Sequence, residues 1–362
     1  MKYIDEFRDP ALARWLLDDI AARSTQPVNL MEFCGGHTHA IFKFGIRQLL
    51  PDTVRLLSGP GCPVCVTANA DLDRAIAIAW LPEVITATFG DMLKVPGSRT
   101  SLQAARAGGA DVRMIYSTLD AVQMAQQNPE RRVVFLGVGF ETTAPTIAAA
   151  VLQAEALGLD NFCVLSMHKL TPPATQAILR AGEVRLSGII GPGHVTTVIG
   201  SEAWQFLPRD HGIPVAVAGF EPLDILRAVR ALVEQVESGR PGVINTYSRS
   251  VRPEGNRTAV GVMDRVFEVS DAGWRGFGSV PQSGLSLRPA YARFDAARVF
   301  DVDPGPVREH KGCRCGEVLR GVVSPPECPL FRRTCTPQNP IGPCMVSAEG
   351  ACAAHYLYGE EI

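Results

Sequence analysis

The chain has 362 residues, 46% of them hydrophobic and 20% charged, with a formal net charge of -2 and a pI of about 6.4. A chain of this length exceeds the size at which one core usually stops growing, so about two or three domains are expected. The near-neutral balance excludes a general attraction to nucleic acid or anionic lipid, and apolar stretches such as AIAIAWLPEVITATF, broken by Pro82 and Glu83, fall short of the roughly 20 residues of a membrane span.

The opening MKYIDEFRDPALARWLLDDIA is charged and amphipathic, unlike a signal peptide, which points to a soluble protein in the reducing cytoplasm. Next comes MEFCGGHTHAIFKFGIRQLL: an apolar run, the turn Cys34-Gly35-Gly36-His37-Thr38-His39, and an amphipathic helix. TVRLLSG reads as a buried strand, followed by a glycine turn and Cys62-Pro63-Val64-Cys65 at a helix start. Strand-like runs EVITATFG, DVRMIYS, RRVVFLGVG, NFCVLSM, LSGIIGPG and PVAVAGF then alternate with helical segments. Those segments are SLQAARAGG, TLDAVQMAQQNPE, TAPTIAAAVLQAEALG, PPATQAILRAG and PLDILRAVRALVEQVESG, several of them closed by glycine. Continuous β-branched strands of this kind suit parallel sheets covered on both faces, an α/β architecture that places ligands at the carboxyl ends of its strands.

VVFLGVGFETTAPTIAAAV and VAVAGFEPLDILRAV both run strand, Gly-Phe-Glu, helix, an echo that suits either a duplicated α/β unit or chance. Beyond about Tyr247 the pattern changes: INTYSRSVRPEGNRTA is irregular, MDRVFEVSD helix-like, and GWRGFGSVPQSG rich in glycine. From His310 the tail is mostly loop and folds most easily around a metal site.

Ten cysteines form two groups: Cys34, Cys62 and Cys65 near the front, and Cys313, Cys315, Cys328, Cys335, Cys344 and Cys352 in the tail, with Cys163 between as a core residue. In a reducing compartment such groups read as metal ligands or catalytic thiols rather than structural disulfides. A cysteine at a strand-to-helix turn faces amide groups and the helix dipole, so Cys34 is expected to ionise readily and bind metal. His37 and His39 are candidate ligands, proton donors or orienting groups, or a helix cap. The Cys62/Cys65 spacing suits a thiol-disulfide pair or a transient metal platform, with static zinc as the alternative. In the tail, Cys315, Cys328, Cys335 and Cys352 could hold a [4Fe-4S] cluster or a Cys₄ zinc. Because only Cys313 and Cys315 are closely spaced, the pattern favours the cluster. Glu141, Thr142, His168, His194 and Glu221 lie at strand ends, where capping is their ordinary use. No phosphate-binding G-x-x-x-x-G-K-[ST] or G-x-G-x-x-G motif supports nucleotide binding.

The strings MEFCGGHTHAI, GPGCPVCV, GVGFETTAP, GPGHV, CRCGEVLRG and NPIGPCMVSAEGACAAHY, in this order over nearly the whole chain, resemble the HypD family of hydrogenase maturation factors. The resemblance implies two related Rossmann-like α/β domains with parallel sheets plus a cysteine-rich iron-sulfur domain, expected over residues 1-120, 121-240 and 241-362. It also implies a scaffold on which the Fe(CN)₂CO unit of [NiFe]-hydrogenase is assembled. A HypC-type chaperone would share the iron and a HypE-type protein would deliver cyanide, for eventual use by the hydrogenase large subunit. Cys34 would be the iron thiolate, with His37 beside it. Cys62 and Cys65 would cycle between dithiol and disulfide, exchanging electrons with a [4Fe-4S] cluster on Cys315, Cys328, Cys335 and Cys352, as in ferredoxin-thioredoxin reductases. Cys313 is the competing first ligand, Cys344 a bystander near the cluster. Such a protein is a redox-active scaffold rather than an ordinary turnover enzyme; a stand-alone iron-sulfur thiol-disulfide oxidoreductase is the alternative.

Overall fold

The structure, a computed structural model, describes residues 5-359; the start of the charged opening (1-4) and the last three residues lie outside the described residues. Two parallel sheets form its frame. The first has the order β2-β1-β7-β8-β9, with β1 Val28–Glu32, β2 Val54–Ser58, β7 Gly188–Pro192, β8 Val215–Ala218 and β9 Val243–Asn245. The second has the order β4-β3-β5-β6, with β3 Val84–Thr88, β4 Val112–Met114, β5 Arg132–Gly137 and β6 Phe162–Ser166. Every residue of β3, β7 and β8 is buried, as expected of parallel strands covered on both faces.

The sheets do not follow the expected division of the chain at 120. That point falls between β4 and β5, inside the second sheet, whereas β1 and β2 pair with strands from 188-245. Parallel pairing permits this because each crossover leaves the sheet and returns, so the four-stranded unit is inserted between two halves of the five-stranded one. The two Gly-Phe-Glu turns follow β5 and β8, one inner strand of each sheet.

The helices pack as their apolar spacing dictates. Pro222–Ser238 buries Leu223, Leu226, Val229, Leu232 and Val233 against the first sheet, each worth roughly 1.5–3 kcal/mol of transfer free energy. Gly239, in the left-handed region at φ 64°, ends it. Among the described residues, no helix is long and apolar enough to cross a membrane.

The helix-like reading of MDRVFEVSD holds only in part. A helix runs Arg257–Val266, and Phe267 opens an antiparallel hairpin of β10 (Phe267–Trp274) and β11 (Gly278–Leu287). The hairpin buries Phe267, Trp274, Leu285 and Leu287, so tertiary burial overrides the local pattern. The cysteine-rich tail is largely loop, with short helices Cys315–Leu319 and Ala351–Tyr358. The latter packs on Gly35–Lys43, where the rings of Phe42 and His355 lie 5.2 Å apart.

Candidate functional site

Cys34 follows β1 and is the N-cap of the Gly35–Lys43 helix. Its N–H donates to Glu32 Oε2 at 3.0 Å, while the Thr38 hydroxyl donates to the other oxygen of the same buried carboxyl. Glu32 thus ties the start of the turn to the first turn of the helix. Burial raises Glu32 to about 8, against the lowering effect of these hydrogen bonds.

The second motif is brought to the first because β1 and β2 are neighbours in parallel register, from Val28 opposite Val54 to Glu32 opposite Ser58. Gly59 N–H donates to Glu32 O at 2.9 Å and Gly35 N–H to Gly61 O at 2.8 Å. Gly61 lies flat against Cys34: a Cβ there would overlap its N and Cα and stand 2.6 Å from its carbonyl carbon. The next residue is Cys62, which caps the helical turn Pro63–Val66 and forms a disulfide with Cys65. The hairpin holds this turn from the other side, since Arg275 N–H donates to Val66 O at 2.9 Å.

The expectation that the helix N-terminus depresses the Cys34 pKa is not met. Burial, then Glu349 and more weakly Glu32, raise the half-buried thiol to about 12, outweighing amide donors from Gly36 and His37. Glu349 comes from the tail and lies over Gly35, where an added Cβ would stand 2.8 Å from its carbonyl oxygen. This surrounding keeps a free Cys34 protonated and favours its thiolate only when a cation arrives to compensate the charge.

The two histidines of the turn part company. His37 is buried, with Nε2 3.2 Å from Ala218 O and 3.0 Å from Gly219 O, and its ring stacks on Phe220, which in turn stacks on His194. Burial lowers it to about 4, so it is neutral. Both neighbours of Nε2 are carbonyls, so Nε2 carries the proton and Nδ1, buried without a hydrogen-bond partner among the described residues, keeps a free lone pair. His39 turns instead toward the C-terminal helix and meets Tyr358 edge-on at 5.2 Å.

In the tail, all six cysteines line one enclosed pocket together with Val318, Leu330, Phe331 and Met345. Its walls are close-packed: a Cβ on Gly342 would stand 2.6 Å from Cys313 Sγ. The Ile341 N–H donates to Cys335 Sγ at 3.4 Å. Thiols around an apolar pocket, with an amide donor to one sulfur, are the donor chemistry that iron-sulfur centres use, while among the described residues no three such ligands stand in metal-binding geometry. Cys344 lies beside Cys315, with their sulfurs 2.7 Å apart. Hydrogen bonds with Cys313 and then Cys344 pull the Cys315 thiol below the usual range.

The pocket and the disulfide meet. Cys65 Sγ lies 3.8 Å from Pro343 O, the residue before Cys344, and Cys62, Cys65, Cys315, Cys328, Cys335, Cys344 and Cys352 share one hydrophobic cluster. The other strand-end candidates have structural partners. Glu141 accepts from Thr171 N–H at 2.8 Å, Glu221 pairs with Arg8, His168 Nδ1 lies 2.9 Å from Ser166 Oγ, and Cys163 is buried in the second sheet. Sequence reasoning missed Glu32, Thr38, Glu349 and the Cys315/Cys344 contact. A lone carboxylate in the apolar run MEF was the available signal for the first and the hydroxyl inside the Cys34–His39 turn for the second, whereas nothing in the spacing of the tail reveals the other two.

A family model described as HypD, hydrogenase formation hypA family, matches residues 11-359. The chain is 53% identical to a hydrogenase expression/formation protein HupD of Azotobacter chroococcum mcd 1, aligned over 100% of this chain and 98% of the relative. It is 52% identical to the hydrogenase maturation factor HypD of Azotobacter vinelandii over the same shares. To HypD of Escherichia coli (strain K12) it is 45% identical, over 100% of this chain and 99% of that protein.

Proposed function

Since the chain belongs to the HypD family of hydrogenase maturation factors, we propose that it is the cytoplasmic scaffold on which the Fe(CN)₂CO unit of a [NiFe]-hydrogenase is assembled. It would act with a HypC-type chaperone and a HypE-type cyanide donor, ahead of the hydrogenase large subunit. The iron unit is cargo, held by the Cys34 sulfur, whose proton leaves as the metal binds. Glu32 and Gly61 fix where that sulfur stands, and neutral His37 braces the turn against β8 while offering a bare Nδ1 lone pair.

Cys62 and Cys65 supply redox change beside the cargo: opening their disulfide takes two electrons and two protons and yields two thiols. A [4Fe-4S] cluster in the tail pocket supplies electrons one at a time when bound. Cys315, Cys328, Cys335 and Cys352 are its ligands in this reading. Cys313 is the competing first ligand; both thiols line the pocket, and Cys344, 2.7 Å from Cys315 Sγ, follows Pro343, against which Cys65 rests.

The observation that carries the proposal is the convergence at Gly61: the Cys34 turn and the Cys62–Cys65 turn share a backbone contact with no room for a methyl group. A stand-alone oxidoreductase would need only the pair and the pocket. The test is iron and acid-labile sulfide analysis of anaerobically purified protein, with Cys313→Ala and Cys315→Ala compared. About four irons and four sulfides, kept in the first variant and lost in the second, support the reading; zinc without sulfide refutes the cluster.

A further inference from the structure

An open groove of about 1040 Å³ runs between segment 94-104, residues 308-310 and the 337-341 loop of the tail. It carries Lys94, Arg99, Arg275 and Arg308, with His310, against one carboxylate, Glu309. In a chain of net charge -2 this is a local concentration of positive charge. Lys94, Arg99 and Arg308 are exposed and form no ion pair among the described residues. Arg275 is only 8% exposed, and its donors reach the Thr67 carbonyl and the Asn69 side-chain oxygen, both uncharged. No carboxylate pairs with this buried guanidinium; the Cys315 thiol lies in its field, and an anion in the groove would add to that compensation.

The groove also touches the sulfur pocket, because Ile341 belongs to its wall and donates its N–H to Cys335 Sγ at 3.4 Å. Apart from the imidazole of His310, no aromatic ring among the described residues lines it to stack a nucleobase, and an open groove of about 1040 Å³ suits a protein surface better than a small molecule. Resting on the redox reading above, we propose that this groove is the docking site of an acidic one-electron carrier protein. Opening the Cys62–Cys65 disulfide takes two electrons and two protons. The carrier gives up one electron at each docking and is itself oxidised, so two dockings and two solvent protons reduce one disulfide. Complementary charge at the rim sets encounter rate and makes binding salt-sensitive.

The test measures anaerobic binding of the full chain to a plant-type [2Fe-2S] ferredoxin as acidic probe, by calorimetry at low salt and at about 0.5 M NaCl. The wild type is expected to bind at low salt and lose the probe at high salt. The combined Lys94→Glu, Arg99→Glu and Arg308→Glu variant should bind at least ~10-fold more weakly, with the matching Gln variant between. Equal affinity in all three proteins overturns the proposal. So does a poly-glutamate peptide binding in the groove when ferredoxin does not, which would make it a peptide site. Binding does not require the cluster. Absent sulfide therefore refutes the redox reading, whereas an affinity unmoved by the substitutions refutes the dock alone.

Discussion

Replacing Gly61 by alanine tests the contact on which the site is built. Gly61 has no positive φ, so alanine carries no backbone penalty and the effect is steric. The new methyl would overlap Cys34 N and Cα and stand 2.6 Å from its carbonyl carbon, inside the ~3.5–4.0 Å of ordinary carbon contact. One loop must then retreat by about 1 Å, at the ~1–3 kcal/mol typical of overpacking. That movement pulls on the Gly35 N–H to Gly61 O bond and on the Cys34 N–H to Glu32 bond, the two ties that place the sulfur. Urea unfolding should show the loss of stability, and iron carried on co-purified protein should fall further than a merely destabilised but folded protein would explain. Gly261→Ala is the control: it lies in the Arg257–Val266 helix with nothing within 4 Å, and should gain up to about 1 kcal/mol with iron unchanged. A Gly61→Ala protein as stable and as iron-loaded as the wild type would refute the reasoning.

Thr38→Val removes the hydroxyl donor to the buried Glu32 and should cost ~1–3 kcal/mol by urea unfolding. A cost no greater than that of an exposed Thr→Val exchange would deny Glu32 its tying role. Gly342→Ala pushes a methyl to within 2.6 Å of Cys313 Sγ and should lower sulfide content while the α/β frame stays folded by circular dichroism. Burial, helped by Lys169, lowers His168 to about 3 from 6.5. Below 6.5 the unfolded chain binds a proton that the folded one does not, so this residue makes stability fall as pH falls toward about 3, by at most ~1.4 kcal/mol per pH unit. His168→Gln should therefore flatten the loss of stability between pH ~7 and ~5; an unchanged slope contradicts the assignment.

Much of this was legible because strands buried on both faces declare themselves: β2 to β8 all lie within the runs read as strands. Cys34, Cys62 and Cys65 were legible as a site because glycine-flanked cysteines at strand ends have few other uses. The interleaving was not, since pairing β1 with β7 depends on contacts 158 residues apart and no local pattern encodes them. The hairpin was misread where FEVSD continues a helical rhythm that only burial of Phe267 and Trp274 breaks. The Cys34 pKa was misjudged because the dipole of a short helix is visible in sequence, whereas the burial that chiefly opposes it, and then Glu349 from the far end of the chain, arise only in the fold.

The most direct measurement is infrared spectroscopy in the metal-cyanide and metal-carbonyl region, on protein purified anaerobically with its small chaperone, comparing wild type with Cys34→Ala. Sharp CN and CO bands are expected in the wild type and none in the variant, with iron-sulfur absorbance equal in both. Bands that persist in Cys34→Ala would place the iron elsewhere and contradict the central claim.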